Sequence, residues 1–349
     1  MLKIAPKLVE RVQAAEQPED LYDLVQQAIQ LEHATIPAYL AAYFSLKPRT
    51  NQPVAEILRS VIVQEMLHMA IACNLLIALG GQPVINKPGF IPTYPGPLPM
   101  GIGDLIVPIE KCSVGLVRDT FMAIEEPETP IHINALRAAA AAPTFRTIGE
   151  FYDALAAKLL ELGPKAFAKG RFGEEMVDNT WFPADQLFRI FDDKTAAAAI
   201  RLIVRQGEGT RQDPLDPEGE PAHYYRFEQI VKGRRLVRDP VERSGFKFAG
   251  APVVLDTSNV WNAQTNPPDP STLPAGSAAQ RAATIFAFGY TALLNSLHDT
   301  FNGAPDAMSR AMGLMYQLRP TAQTVLQTPL PGSPSVMVGL SFVYQPTLA

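Results

Sequence analysis

Apolar residues recur at helical spacing through most of the chain. Leu21, Val25, Ala28, Glu32, Thr35, Tyr39 and Tyr43 fall three and four apart, which predicts a helix over 21–46 with one mainly apolar face. Pro18-Glu19-Asp20 ahead of it supplies a start signal. Over 53–79 the seam is unbroken: Val54, Leu58, Val61, Glu65, His68, Ala72, Leu75 and Leu79 alternate steps of four and three, and Gly80-Gly81 stops the helix. A short loop joins the two helices and makes them antiparallel neighbours. Less sharp patterns predict helices over 113–126, 132–141, 147–162, 195–209 and 222–234, then a helical hairpin of 278–299 and 305–318 joined by FNGAP. Ile200, Val204 and Glu208 share one face of their segment, and His223, Phe227 and Ile230 share one face of theirs.

Composition changes this picture mainly through its breaks. The 32 prolines and 23 glycines cluster at 81–110, 212–221 and 263–276, segments that cannot be helix interiors. The chain has 349 residues, which divide into a helical bundle over 1–235 and a C-terminal helical hairpin extension over 236–349 packed on it. A net charge of -5 without a Lys/Arg cluster gives no electrostatic footprint for nucleic acid. The stretch around 66–79 is interrupted by His68 and Asn74, so no membrane span is expected. Cys73 and Cys112 are the only cysteines and make no CxxC site. The N-terminal segment is amphipathic, with Glu10, Glu16, Glu19 and Asp20, unlike a signal peptide; a cytoplasmic protein is expected.

Candidate chemistry begins with two ionisable residues in the middle of an apolar seam. Burying Glu65 and His68 without partners is costly, so each should meet an opposing charge, a hydrogen-bond partner or a metal. Residues i and i+3 project to one side of a helix, so this E-x-x-H pair can reach a common point. Core-facing ionisable residues along the chain are Glu32, Glu65, His68, Glu150, Glu208 and His223. Four carboxylates and two imidazoles suit a pair of iron ions, with manganese as the alternative, better than thiolate-bound zinc. Glu150 has a second reading. With Thr147 it forms the S/T-x-x-E spacing of a capping box, and Glu125 is then the reserve ligand. Glu65 and His68 could also be a metal-free buried pair. Tyr39, two turns along from Glu32, is either core or a neighbour of the centre; His132 and His298 read as structural.

The runs LYDLVQQAIQLEHATIPAYLAAYFSL and VIVQEMLHMAIACNLLIALGGQP resemble the first two helices of the ferritin-like domain of iminophenyl-pyruvate dimer synthases. FMAIEEPE, TIGEFYDAL, QGEGT, HYYRFEQI and LLNSLHDTFNG are similar to later blocks of that domain. The resemblance implies a mainly α chain: a ferritin-like four-helix bundle with one long Pro-rich crossover and an added helical hairpin. It also implies that Glu32, Glu65, His68, Glu150, Glu208 and His223 hold the metals. The activity implied is that of a di-iron oxidoreductase on a small amino-acid-derived or imine substrate. The alternative is a metal-binding or storage protein without small-molecule turnover. A substrate pocket walled by the crossover is expected under the first reading, and a homo-oligomer is left open under both.

Overall fold

The computed structural model describes residues 3–101, 104–127, 131, 146–177, 180–208, 213–216 and 218–345, without the side chains of Arg146 and Glu208. The helix expected over 132–141 lies outside them. After a short α1 (Pro6–Gln13) come the two long helices, α2 (Tyr22–Ser45) and α3 (Gln52–Ala78). Every apolar member of the α3 seam is buried, so the 4-3 pattern is a packing face rather than a solvent-facing coincidence. Gly80 closes α3 with φ +96°, and a Cβ there would stand 2.7 Å from the Lys169 carbonyl oxygen. Among the described residues α3 is the one helix long and apolar enough to cross a membrane. Most of that stretch is buried within the protein, because neighbouring helices cover it.

The Pro-rich crossover is pinned along α2 by side chains one turn apart. Gln26 both donates to and accepts from the backbone of Val84, and Gln30 Nε2 donates to the Gly89 carbonyl at 2.8 Å. One turn on, Tyr94 donates its hydroxyl to the Ala34 carbonyl at 2.5 Å. Proline leaves the crossover a 3-10 turn at Pro88–Phe90 and a short bridge between Gly96 and Val107, so these side-chain contacts add to its order.

The next helical stretch is α4 (Val114–Leu116), a π turn (Val117–Phe121) and α5 (Met122–Ile124), capped at its start by Ser113 Oγ accepting from the Leu116 N–H. Then follow α6 (Ile148–Leu162), α7 (Asp193–Glu208) and α8 (His223–Lys232), the last closed by Gly233 in the left-handed conformation. The hairpin is α9 (Ala278–Thr300) with α10 (Met308–Leu326), longer at its second arm than the periodicity indicates because Pro320 is accommodated inside it. It lies against α2. Gln323 Nε2 donates to the Phe44 carbonyl at 2.7 Å, and His33 Nε2 lies 2.7 Å from the Tyr290 hydroxyl.

Three small antiparallel strand pairs were not expected from the sequence. They are β1 (Lys3–Ile4) with β2 (Arg146–Thr147), β3 (Arg234–Arg238) with β4 (Phe246–Pro252), and β5 (Pro329–Leu330) with β6 (Ser333–Met337). The β3–β4 pair runs across residue 235, and one large apolar core joins the long helices to Phe286, Tyr290 and Phe342 of the C-terminal part. The architecture is mainly helical, as the periodicity predicts.

Candidate metal centre

Four elements bring ionisable side chains into the interior at one level. α2 contributes Glu32, α3 contributes Glu65 and His68, the residue just past α5 is Glu125, and α8 begins with His223. Glu32, Glu65, His68 and His223 are between 0% and 7% exposed, values that exclude solvation as the force holding them. The π turn explains how Glu125 arrives. One extra residue in a turn rotates everything after it by about 100° relative to a continuous α-helix, and such turns recur at functional sites.

The five residues form two overlapping sets. Glu32, Glu65 and His68 offer ligand atoms that all lie within 4.8 Å of one another, and so do Glu65, Glu125 and His223. Glu65 belongs to both. Its Oε1 is 2.9 Å from His223 Nδ1 and 3.9 Å from His68 Nδ1, while His68 Nδ1 is 3.7 Å from Glu32 Oε2 and His223 Nδ1 is 3.4 Å from Glu125 Oε2. The imidazole rings themselves are stacked, with centroids 5.5 Å apart.

Outer hydrogen bonds set which nitrogen faces inward. His68 Nε2 donates to Gln206 Oε1 at 3.1 Å, and His223 Nε2 donates to Gln64 Oε1 at 2.9 Å. Both rings therefore turn Nδ1 toward the carboxylates, the arrangement that orients imidazole as a metal ligand. His223 Nδ1 makes no hydrogen bond despite its closeness to two carboxylates. The carboxylates are also held. Tyr39 donates to Glu125 Oε1 at 2.5 Å, Thr35 Oγ1 donates to Glu65 Oε2 at 3.1 Å, and Tyr152 donates to Glu32.

The electrostatics of this cluster are frustrated without a cation. Burial, then the charge of Glu65, pushes the Glu32 carboxyl well above its ordinary range. Burial, then Glu125, raises Glu65. Burial drives His68 down to about 3. At His223 burial acts downward, but Glu125 and Glu65 outweigh it and push the imidazole up to about 9. Burial and the adjacent carboxylates likewise raise the Tyr39 and Tyr152 hydroxyls, which stay protonated donors. Three acids crowded in a low-dielectric interior repel, and divalent cations relieve that repulsion. Donor identity and two Nδ1 atoms turned inward onto carboxylates both fit metal.

Of the expected ligands, the structure brings Glu32, Glu65, His68 and His223 together. Glu150 goes elsewhere. Its carboxylate accepts from the Thr147 N–H at 2.8 Å while the Thr147 hydroxyl accepts from the Glu150 N–H, so the capping-box reading describes it and Glu125 stands in the cluster in its place. The Glu208 side chain lies outside the described residues, although its neighbour Gly207 lines the cavity at the cluster. That cavity is about 60 Å³, and α6 and α7 wall it through Tyr152, Ile203 and Val204. No described crossover residue lines it. His298 in α9 turns Nδ1 to the Asn302 side chain just past that helix, and His132 lies outside the described residues. Sequence reasoning did not find Gln64, Gln206, Thr35 or Tyr152. Gln64 adjoins the E-x-x-H pair, and Thr35 lies on the Glu32 face, but neither carries a motif.

A helical bundle with a carboxylate–histidine centre shared among its helices is the class that fold and site define. A family profile described as Ferritin-like matches residues 25–232, and the chain belongs to that family. The crystal structure of a ferritin-like protein from Caulobacter vibrioides is similar over 92% of this chain and 97% of that one, with a TM-score of 0.59. At 23% identity the likeness shows the fold. No curated protein matches the chain.

Proposed function

We propose that the chain is a di-metal oxidoreductase, with iron at both positions and manganese as the alternative, acting on a small amino-acid-derived or imine substrate. The observation that supports it most is Glu65, a single carboxylate common to two ligand sets that each contain their own imidazole and their own second carboxylate. Six ligands, four acidic, are usual for paired metals in such bundles, and Glu208 on α7 is the candidate for the fourth acid. A bound pair of redox metals supplies electron transfer and oxygen activation. The chain's own residues bind and orient: Glu32, Glu65 and Glu125 offset the positive charge, Gln64 and Gln206 aim the imidazoles, and Tyr39 and Tyr152 each hold a proton at a carboxylate oxygen. Ile203 and Val204 keep the cavity apolar. The substrate class rests on the resemblance to iminophenyl-pyruvate dimer synthases.

The storage reading has one observation in its favour. A cavity of about 60 Å³ has room for water or dioxygen but not for an amino-acid-sized molecule. Oxygen uptake separates the two. Protein loaded with ferrous iron should consume oxygen in proportion to added aromatic imino acid, over many turnovers. Uptake that follows added iron alone, with iron accumulating well beyond the paired sites, would support storage instead.

A further inference from the structure

A second cavity lies on the other flank of α2 and α3, between them and the α9–α10 hairpin. It has a volume of about 210 Å³. His33 and Met66 face it, each one residue past a member of the metal cluster, so the two cavities are separated by the thickness of the α2–α3 layer. Helical geometry places consecutive residues about 100° apart, which is why neighbours serve opposite flanks.

The lining is unusual in its softness. Met66, Met69, Met308, Met312 and Met315, five of the chain's ten methionines, line this one space. Methionine side chains are flexible and polarisable, and thioethers pack favourably against aromatic ring edges. Among the described residues no Asp, Glu, Lys or Arg lines the cavity. An engineered apolar cavity of about 150 Å³ takes benzene, so this one is large enough for two fused rings.

Two buried polar atoms at its wall have no partner. His33, 2% exposed, shares a hydrogen bond with Tyr290 through Nε2, and its Nδ1 has none. The Trp181 indole N–H, also in the lining, has none. Buried polar atoms in a folded protein are nearly always paired, so an orphaned pair at an apolar cavity marks where a ligand's polar atoms would sit.

We propose that this cavity is a binding site for an uncharged aromatic molecule of one or two fused rings bearing a hydroxyl or carbonyl oxygen. The rings pack among the methionines. The oxygen accepts from Trp181 Nε1–H, or pairs with His33 Nδ1. A charged ligand would be buried without a counter-ion and is disfavoured. The proposal stands apart from the metal centre, which contributes no residue to it.

The test is titration of the full-length, metal-loaded protein with 2-naphthol, read by the naphthol fluorescence and by calorimetry. Saturable binding at one site per chain is expected. Trp181→Phe should weaken it by roughly tenfold, the effect of one lost hydrogen bond. Ala311→Phe, from the hairpin wall, and Ala70→Leu, from the α3 wall, should each fill the space and abolish binding. Metal content and circular dichroism should be unchanged in whichever filling variant is scored. No saturable binding to the unaltered protein overturns the proposal. So does undiminished binding in a folded filling variant, or binding of 2-naphthoate as tight as that of 2-naphthol.

Discussion

Glu65 Oε1 lies 2.9 Å from His223 Nδ1, though the two residues stand 158 positions apart and belong to different helices. The same oxygen is 3.9 Å from His68 Nδ1 on its own helix. One carboxylate thus faces both imidazoles, and the outcome of removing it differs from the outcome of removing any other member of the cluster.

Glu65→Ala should therefore lower occupancy at both positions together. Glu32→Ala should weaken mainly the position near His68, and Glu125→Ala mainly the position near His223. Metal analysis after equilibrium dialysis at graded metal concentrations distinguishes the two patterns. Equal, one-position losses for all three variants would contradict a shared carboxylate.

Replacing the outer amides should weaken binding without removing a ligand. Gln206→Leu frees the His68 ring, and Gln64→Leu frees the His223 ring. Each change should cost about 10–100-fold in metal affinity, the usual effect of losing a hydrogen bond that orients a metal-binding imidazole. A competition titration with a chelator of known affinity measures it. Gln64, the more exposed of the two amides, should give the smaller effect on stability.

The metal-free protein should lose stability as pH rises above about 6.5. Glu32 and Glu65 have folded-state values above their ordinary range, so they are penalised once pH exceeds about 4.5, the value they have when unfolded. His223 is raised to about 9, so its stabilising contribution is complete below its ordinary 6.5 and disappears as pH climbs through 9. His68 and His33, both held down to about 3 by burial, act in the opposite sense: they cost stability below their ordinary 6.5 and offset the two carboxylates up to that pH. The melting temperature of chelated protein should therefore fall from about pH 6.5 to pH 9, and the gap to metal-loaded protein should widen over that interval. The same proton on His223 competes with metal, so apparent affinity should rise with pH up to about 9. A gap that is flat across this range would count against a buried, charge-crowded centre.

Tyr39→Phe removes the hydrogen bond to Glu125, and Tyr152→Phe removes the one to Glu32. Each leaves a buried carboxylate oxygen unpaired at a cost of about 1–3 kcal/mol, visible in chemical denaturation of the metal-free protein. Metal loading should reduce the difference, because a cation occupies the freed carboxylate.

Much of the site was legible where polarity breaks a strong period. Glu65 and His68 interrupt an otherwise apolar seam, and Glu32 interrupts another, so their burial is readable from spacing alone. Glu125 was harder to read. It stands with Glu126 directly ahead of Pro127, with Glu128 beyond, a composition that looks like an ordinary helix end, and the π turn that rotates it inward has no α-helical period to announce it. Glu150 shows the opposite case, because its capping-box spacing is a short-range signal and its short-range partner is the one the structure provides. The strand pairs escaped notice since their segments, such as RRLVR, are short and lack the alternation of a half-buried strand. The hairpin was visible as two helices, but nothing in its period indicates that it and α3 enclose a cavity. Enclosure depends on tertiary spacing, which a one-dimensional pattern does not carry.

The proposed centre holds two cations that share Glu65. Anaerobic titration of chelated protein with ferrous iron, followed by metal and protein quantification on the same sample, tests it most directly. A break at two iron per chain is expected in the unaltered protein, and loss of both in Glu65→Ala. A break at one iron per chain, or a Glu65→Ala protein that still binds two, would contradict it.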